Sequence, residues 1–429
     1  MAGLPGLDGI DAPDGCGERM HREDAPDGCT GRMEVVPLIY LDNAATANPK
    51  APGVGEAMVR SLDRYNANPG HAGHRLAVEA TLAVFGARAA LARLLGVADP
   101  ARLVFTSGAT AALNQAIGGS LPAVGGHAIC TPWEHNAVLR PLWEWQRRAG
   151  GTVTVLPPDR RGAFDPAELE RALRPDTALI VVNAASNVTG VLAPVAEAGE
   201  VARRHGVRFV VDGSQVAGHL PLDLDRLPVD LWACAGHKGL LGPQGIGLLY
   251  LRPGLELPPL LLGGAGFDSA RREPPAAAPE RYEAGTVNTP GILGLGAAAE
   301  YLLAAGLSGL RAREVAHLAA LRDGLAHCRG VTLFTAADPR QGLGVLSCTV
   351  AGWSPGDAAE VLDRRFELCA RSGLHCAPLA HAALGTAPGG TLRLSTGPWT
   401  TPADIAAAVE GVAWLAAHPR PQPGAEPVA

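Results

Sequence analysis

The chain contains a succession of short, almost wholly apolar segments, each running into a polar cluster, and this constrains its fold more than any other feature. Val207–Val211 reads as the clearest buried strand and ends on Asp212. Ala178–Val182 is a continuous apolar run followed by a polar turn at 183–190. Leu103–Phe105 leads through Thr106-Ser107-Gly108 into a helical stretch at 109–117. His127–Cys130 and Val153–Leu156 are strand-like and flank helical residues 134–148; a further helix, Glu197–His205, stops at Gly206. Leu231–Cys234 and Gly245–Leu251 complete the series. Runs of this length that do not alternate apolar with polar are buried on both faces, and their separation by helices predicts an α/β fold with a largely parallel sheet. In such sheets ligands bind beyond the carboxyl ends of the strands. The clusters Thr106–Thr110, Asn183–Asn187, Asp212–Gln215 and Gly236–Lys238 all fall there, which predicts a single site.

From about residue 293 the pattern changes to helices, then short strands (343–350, 391–394) and a closing helix at 402–416. The reading is therefore a disordered N-terminal extension (1–33), a segment packing with the small domain (34–47), a large domain (48–292), a smaller α+β domain (293–418) and a loose tail (419–429). The extension repeats Asp-Ala-Pro-Asp-Gly-Cys at 11–16 and 24–29, and its polar composition favours disorder over a metal site on Cys16 and Cys29. The Pro- and Arg-rich stretch 252–282 is expected to be irregular, covering the site or meeting a partner subunit.

With 47% hydrophobic and 18% charged residues, the 429-residue chain can bury a large core. A net charge of -6 gives no basic footprint for nucleic acid, and no apolar run approaches the roughly 20 residues of a membrane span. The eight cysteines include no C-x-x-C pair and no zinc-finger spacing, so no metal site is expected. Scattered thiols and the lack of a secretory n- and h-region suggest the cytoplasm.

The cations are unevenly chosen. Of 36 basic residues only Lys50 and Lys238 are lysine. Arg replaces Lys for solubility or phosphate contact but cannot act as a neutral amine nucleophile. Lys238, among the small residues of Ala235-Gly236-His237-Lys238-Gly239, reads as a Schiff-base lysine rather than a surface cation, whereas Lys50 beside Pro49 reads as solvated. Asp212 would be half-buried at the ligand edge, where it could hold a pyridinium nitrogen protonated or simply cap a helix. One strand-helix-strand interval is expected between Asp212 and Lys238. Gly108-Ala109-Thr110 at a helix start suits a phosphate. There is no Walker motif, and Gly294-Leu295-Gly296 does not follow a strand. Cys376, in Arg371-Ser372-Gly373-Leu374-His375-Cys376-Ala377-Pro378, has a His and an Arg that favour a thiolate, while Cys369 reads as core. Arg393 suits a substrate carboxylate or an ion pair within its domain.

Taken together these residues resemble the class V aminotransferase-fold enzymes that use pyridoxal phosphate (PLP), and most closely their cysteine desulfurase branch. The resemblance runs from Tyr40-Leu41-Asp42-Asn43-Ala44-Ala45-Thr46 to about Trp414. It implies a seven-stranded, mostly parallel sheet plus a smaller C-terminal domain. It also implies that Lys238 binds the cofactor covalently and moves protons, that His135 stacks on the ring and that Asp212 meets the ring nitrogen. Gln215 and Asn187 would lie near the phenolic oxygen. Thr110, Ala109 and His237 would hold the phosphate, joined by Thr286 from a second subunit of a homodimer. Arg393, with Arg371 and Asn187, would bind the amino-acid substrate, cysteine or selenocysteine. Cys376 would take the sulfur as a persulfide and pass it to an acceptor protein, and its Arg-x-Gly-x-His-Cys context is like the Suf-type enzymes.

One departure concerns the phosphate. Relatives usually carry Ser or Thr three positions before the lysine, where this chain has Ala235. One lost hydrogen bond there costs about 1–3 kcal/mol if nothing replaces it. Within the same fold a selenocysteine lyase, or another lyase or aminotransferase, is the alternative. A non-catalytic scaffold would not need Lys238, Asp212 and His135 together, and a nicotinamide oxidoreductase lacks its glycine fingerprint.

Overall fold

The computed structural model describes residues 38–420 apart from 71–72, 160–161, 265 and 267–269. The expected N-terminal extension, with Cys16 and Cys29, and residues 421–429 of the expected tail lie outside the described residues.

In chain order the elements begin with β1 (Ile39–Tyr40), α1 (Val54–Arg64), α2 (Arg75–Leu95), β2 (Leu103–Thr106), α3 (Ala109–Ser120), β3 (His127–Cys130), α4 (Asn136–Ala149), β4 (Thr152–Val155) and α5 (Pro166–Arg171). They continue with β5 (Thr177–Asn183), α6 (Val195–Arg204), β6 (Arg208–Asp212), β7 (Leu231–Ala235), β8 (Gly247–Leu251), α7 (Thr289–Ala305) and α8 (Leu307–Ala326). The last part comprises β9 (Val331–Phe334), β10 (Val345–Val350), α9 (Pro355–Phe366), β11 (Leu368–Cys369), β12 (Arg371–Gly373), α10 (Pro378–Leu384), β13 (Thr391–Ser395) and α11 (Pro402–Ala417).

Seven strands form the central sheet in the order β2-β8-β7-β6-β5-β3-β4. Only β8 runs antiparallel to its neighbours. The continuous apolar runs have the physical cause the sequence suggests. On β5, Ile180 and Val182 join the core on one face, with Leu91 of α2, Ala202 of α6 and Leu295 of α7. Leu179 and Val181 join the other, with Leu113 of α3 and Val138 of α4. Both faces are covered, so alternation has no use.

The expected interval between Asp212 and Lys238 differs in one respect. No helix is formed there; residues 213–230 are turns, held in part by Asp230, whose carboxylate accepts from the Phe209 amide at 2.8 Å.

The smaller C-terminal domain carries the antiparallel sheet β12-β13-β10-β9, packed through Leu346 and Leu394 against Leu321 of α8, Leu362 of α9 and Val412 of α11. β1 pairs in parallel with β11, and the Asn43 amide donates to the Ser395 carbonyl, so the start of the described chain is built into this sheet. Arg420 is not loose: it pairs with Asp357 at 3.3 Å and lies over the Trp353 ring. Cys369 is half-buried rather than core, with its thiol 3.9 Å from Asp363. Among the described residues no single helix is long and apolar enough to cross a membrane, and no group of three metal-ligating side chains occurs.

Candidate active site

A cavity of about 480 Å³ lies at the carboxyl ends of the parallel strands. It gathers Ala109, Thr110, His135, Asn187, Asp212, Gln215, His237, Lys238, Arg371, Cys376 and Arg393. Each element contributes what its end can offer.

β2 runs into Gly108, which has φ 145 and so suits glycine, and α3 then starts at Ala109. A Cβ on Gly247 would meet the Gly108 carbonyl carbon at 2.6 Å, so β8 and the start of α3 touch backbone to backbone. α3 has no side-chain cap, and its first amides open to the cavity with the positive end of the helix dipole.

β6 delivers Asp212, 6% exposed, whose Oδ1 accepts from the Ser214 amide at 3.0 Å. Asp212 therefore closes a local turn and caps no helix. Gln215 Nε2 donates to the Ala44 carbonyl at 3.0 Å.

β7 ends at Ala235, and Lys238 follows two residues beyond Gly236. Burial pulls the Lys238 amine down to about 8, with Asp212 opposing and Arg393 and Arg371 assisting. Burial also takes His237 down to about 4, helped by the charges of Lys238 and Lys50. His135 is lowered by burial first and by Lys238 second. Its Nδ1 accepts from the Ala137 amide at 3.0 Å, which caps α4 and leaves Nε2 to carry the proton of the neutral ring.

The smaller domain closes the cavity. Arg393 lies mid-strand in β13 and is 2% exposed. Its Nη1 donates to the Asn187 carbonyl at 3.0 Å and its Nη2 to Asp42 Oδ1 at 2.7 Å, while Nε is buried without a partner. Arg371 stands 3.7 Å from the other oxygen of Asp42. His375 and Cys376 have φ 47 and 57, the left-handed region that non-glycine residues rarely occupy. Three contacts hold them there. Asn187 Nδ2 donates to the His375 carbonyl at 2.6 Å, the Asn136 amide to the Cys376 carbonyl at 2.8 Å, and His375 Nε2 meets Thr391 Oγ1 at 3.1 Å. The result is an exposed thiol at the mouth of the cavity.

Thr286 is the one expected site residue that does not line this cavity; it is exposed. Its loop is tethered at Glu283, which accepts from the Phe105 amide at 2.6 Å and from Arg88 at 2.7 Å.

Lys50 is not solvated. It is half-buried, donates to Thr46 Oγ1 and to the His237 carbonyl, both at 3.0 Å, and burial lowers its amine to about 8.

The sequence places Asn183 and Ser214 in strand-end clusters without a role for either and gives no sign of Gln244; all three line the cavity. Ser214 Oγ is buried with no partner. It sits two residues past Asp212, beyond the end of β6, where a polar residue at a strand end was the available signal. Ala235 does lack a hydroxyl in this wall, but those of Ser107, Thr110 and Ser214 share the cavity.

Residues 39–407 match the model of the class V aminotransferase family. The chain belongs to that family. It is 33% identical over 373 residues to a probable cysteine desulfurase of Methanothermobacter thermautotrophicus, covering 86% of this chain and 92% of that one. It is 39% identical over 267 residues to the cysteine desulfurase IscS of Anaeromyxobacter dehalogenans, covering 61% and 62%. Among solved structures, the apo cysteine desulfurase of Thermococcus onnurineus superposes with a TM-score of 0.83 at 31% identity, covering 89% of this chain and 95% of that one. The cysteine desulfurase CsdA of Escherichia coli, in an S-sulfonic acid form, gives 0.79 at 31%, covering 87% and 93%. The class V fold, with its central sheet and smaller C-terminal domain, is thus common to all of them.

Proposed function

We propose that this chain is a homodimeric, PLP-dependent cysteine desulfurase that converts L-cysteine to L-alanine and keeps the sulfur on Cys376 as a persulfide. The observation that carries this reading is the presence in one cavity of a half-buried lysine, a buried aspartate, a buried arginine and an exposed cysteine thiol. The names of the relatives point the same way.

The residues present fit the cofactor. Ser214 Oγ, Asn187 Oδ1 and His237 Nδ1 are buried without partners at the cavity wall, and the open amides of α3 suit a phosphate. When bound, PLP supplies an electron sink for bond cleavage at the substrate amino acid. Lys238 is the residue to hold it covalently, because its amine is largely neutral above about pH 8. Asp212 would hold the ring nitrogen protonated, His135 would cover the ring, and Ala109, Thr110 and His237 would take the phosphate. Gln215 and Asn187 would orient the ring edge.

Arg393, with Arg371 and Asn187 beside it, orients the substrate carboxylate. Lys238 moves the proton at the substrate α carbon. Cys376 Sγ forms an S–S bond to the substrate sulfur as the C–S bond breaks. An exposed thiol can then hand the sulfur to an acceptor protein, as in a Suf-type enzyme. The exposed Thr286 loop, and exposed apolar side chains such as Leu62 of α1 and Phe85 of α2, support a second subunit completing the phosphate site.

The test is turnover with cysteine and with selenocysteine, measuring alanine, sulfide and selenide, for wild type and Cys376→Ala. Wild type should yield alanine and persulfide from cysteine, and the variant should form neither while still binding the substrate. Alanine from cysteine at the wild-type rate in Cys376→Ala would remove Cys376 from its role. Activity with selenocysteine alone would make the enzyme a selenocysteine lyase.

A further inference from the structure

The chain retains two lysines among 36 basic residues, and both meet at one peptide. Lys50 Nζ donates at 3.0 Å to the carbonyl oxygen of His237, the group whose carbon is bonded to the Lys238 nitrogen. The same oxygen accepts from the Ala47 amide at 2.9 Å and from Thr46 Oγ1 at 3.2 Å. Thr46 Oγ1 also accepts from Lys50 at 3.0 Å. On the other side of Lys238, its own carbonyl accepts from the Leu241 amide at 2.8 Å. Gly236 and Gly239 flank the His237-Lys238 pair, so this backbone has little stiffness of its own and its direction is set by such tethers.

Nothing else explains Lys50. No carboxylate among the described residues pairs with it, and it is half-buried, whereas the exposed cations of this chain are Arg. A compact ammonium between two oxygens at 3.0 Å is a poor match for the longer, planar guanidinium.

We infer that Lys50 is a positioning residue for Lys238: by clamping the His237 carbonyl together with Thr46 and Ala47, it fixes the direction in which Lys238 enters the cavity. A half-buried cation with no acid partner is costly to keep, and the partial burial that lowers its amine is tolerated at a position where its donors are needed.

This inference rests on the proposed PLP chemistry, and the experiment separates the two. Wild-type and Lys50→Met apoproteins, matched by circular dichroism, are titrated with PLP, and the borohydride-reducible visible band is followed against pH. Wild type should take up PLP and show the band. Lys50→Met should bind PLP about tenfold more weakly or worse, a loss of about 1.4 kcal/mol. The pH midpoint of its band should move by about half a unit or more, since an untethered Lys238 changes its distances to Asp212, Arg393, Arg371 and Cys376 and to His135 and His237. A loss confined to stability would leave that midpoint unchanged. If Lys50→Met does not fold, Thr46→Val, which removes the hydroxyl shared by the ammonium and the carbonyl, should give the same two changes more weakly. A folded variant with wild-type affinity and midpoint overturns the role of Lys50. A wild type that takes up no PLP overturns the proposed function, and this inference with it.

Discussion

Asn187 reaches across 188 residues of sequence to donate its side-chain amide to the His375 carbonyl at 2.6 Å. The turn after β5 thereby holds the loop that carries Cys376, and Arg393 holds that turn through the Asn187 carbonyl. The left-handed backbone at His375 and Cys376 is strained, and it persists only while such contacts fix it. Asn187→Ala leaves the buried His375 carbonyl without this donor, a cost of about 1–3 kcal/mol. Sulfur transfer to Cys376 should fall about tenfold or more in single-turnover measurements. PLP uptake should fall less, by the one ring-edge contact of Asn187 Oδ1, because Lys238 and Asp212 are untouched. An equal loss in both would mean that Asn187 acts through the cofactor ring edge and that its bond to the cysteine loop adds nothing.

Two of the three nitrogens of the Arg393 guanidinium are already committed, Nη1 to Asn187 and Nη2 to Asp42. Three of its five N–H groups remain for a substrate carboxylate, among them that of the buried, unpartnered Nε. Arg393→Lys keeps the charge but loses the fork that satisfies two protein acceptors at once. Hydrogen bonds to charged groups contribute about 1.5–3 kcal/mol, so KM for cysteine should rise by about one to two powers of ten. The borohydride-reducible band should remain. Loss of that band in a folded Arg393→Lys would show that Arg393 supports the cofactor instead.

Burial brings the Lys238 amine to about 8 from an ordinary 10.5. The neutral, nucleophilic form is populated as pH rises through the midpoint. The rate at which apoprotein captures PLP should therefore climb between about pH 7 and 9 and level off above it. An unshifted amine would keep climbing past pH 10. Stopped-flow absorbance across this range is the measurement. Asp212→Asn removes the charge that opposes the shift, so its midpoint should lie lower than that of wild type.

Much of this was legible in the sequence, for definite reasons. Strands β5, β6 and β7 are buried on both faces, so their apolar runs stand out against any background. Ligands meet such sheets at strand ends, which is why Asp212 could be singled out from its position and Lys238 from its position together with the scarcity of lysine. The link from β6 to β7 was misread because its turns are held by tertiary contacts such as Asp230 to Phe209, which no local pattern records. Lys50 was misread because Pro49 beside it suggests an exposed loop, whereas its partners lie 4 and 187 residues away. Ser214 falls in a strand-end cluster but takes no role from the sequence for another reason: a serine after Asp-Gly looks like any turn residue until its hydroxyl is found buried and unpartnered.

Glu314 of α8 ties the turns after β6 to the residue that precedes β10. Its Oε1 meets His219 Nδ1 at 2.9 Å and accepts from the Gly344 amide at 2.8 Å, and its Oε2 pairs with Arg311 at 2.6 Å. Burial alone would raise this carboxyl, but the charge and hydrogen bond of His219, the Arg311 charge and the Gly344 amide outweigh it and hold Glu314 at about 2 against an ordinary 4.5. A carboxyl depressed in the folded state stabilises the fold fully above its unfolded value and loses that contribution as pH falls through its folded value. The contribution of Glu314 should therefore be complete above about pH 4.5 and fade from there to about 2. Glu314→Gln cannot ionise, and it leaves Arg311 and the Gly344 amide with a weaker partner. Urea midpoints measured from pH 3 to 7 should show wild type more stable at pH 7, with the gap to Glu314→Gln narrowing below pH 4.5. A gap that stays constant across this range would mean that Glu314 acts by shape and hydrogen bonding alone, without its charge.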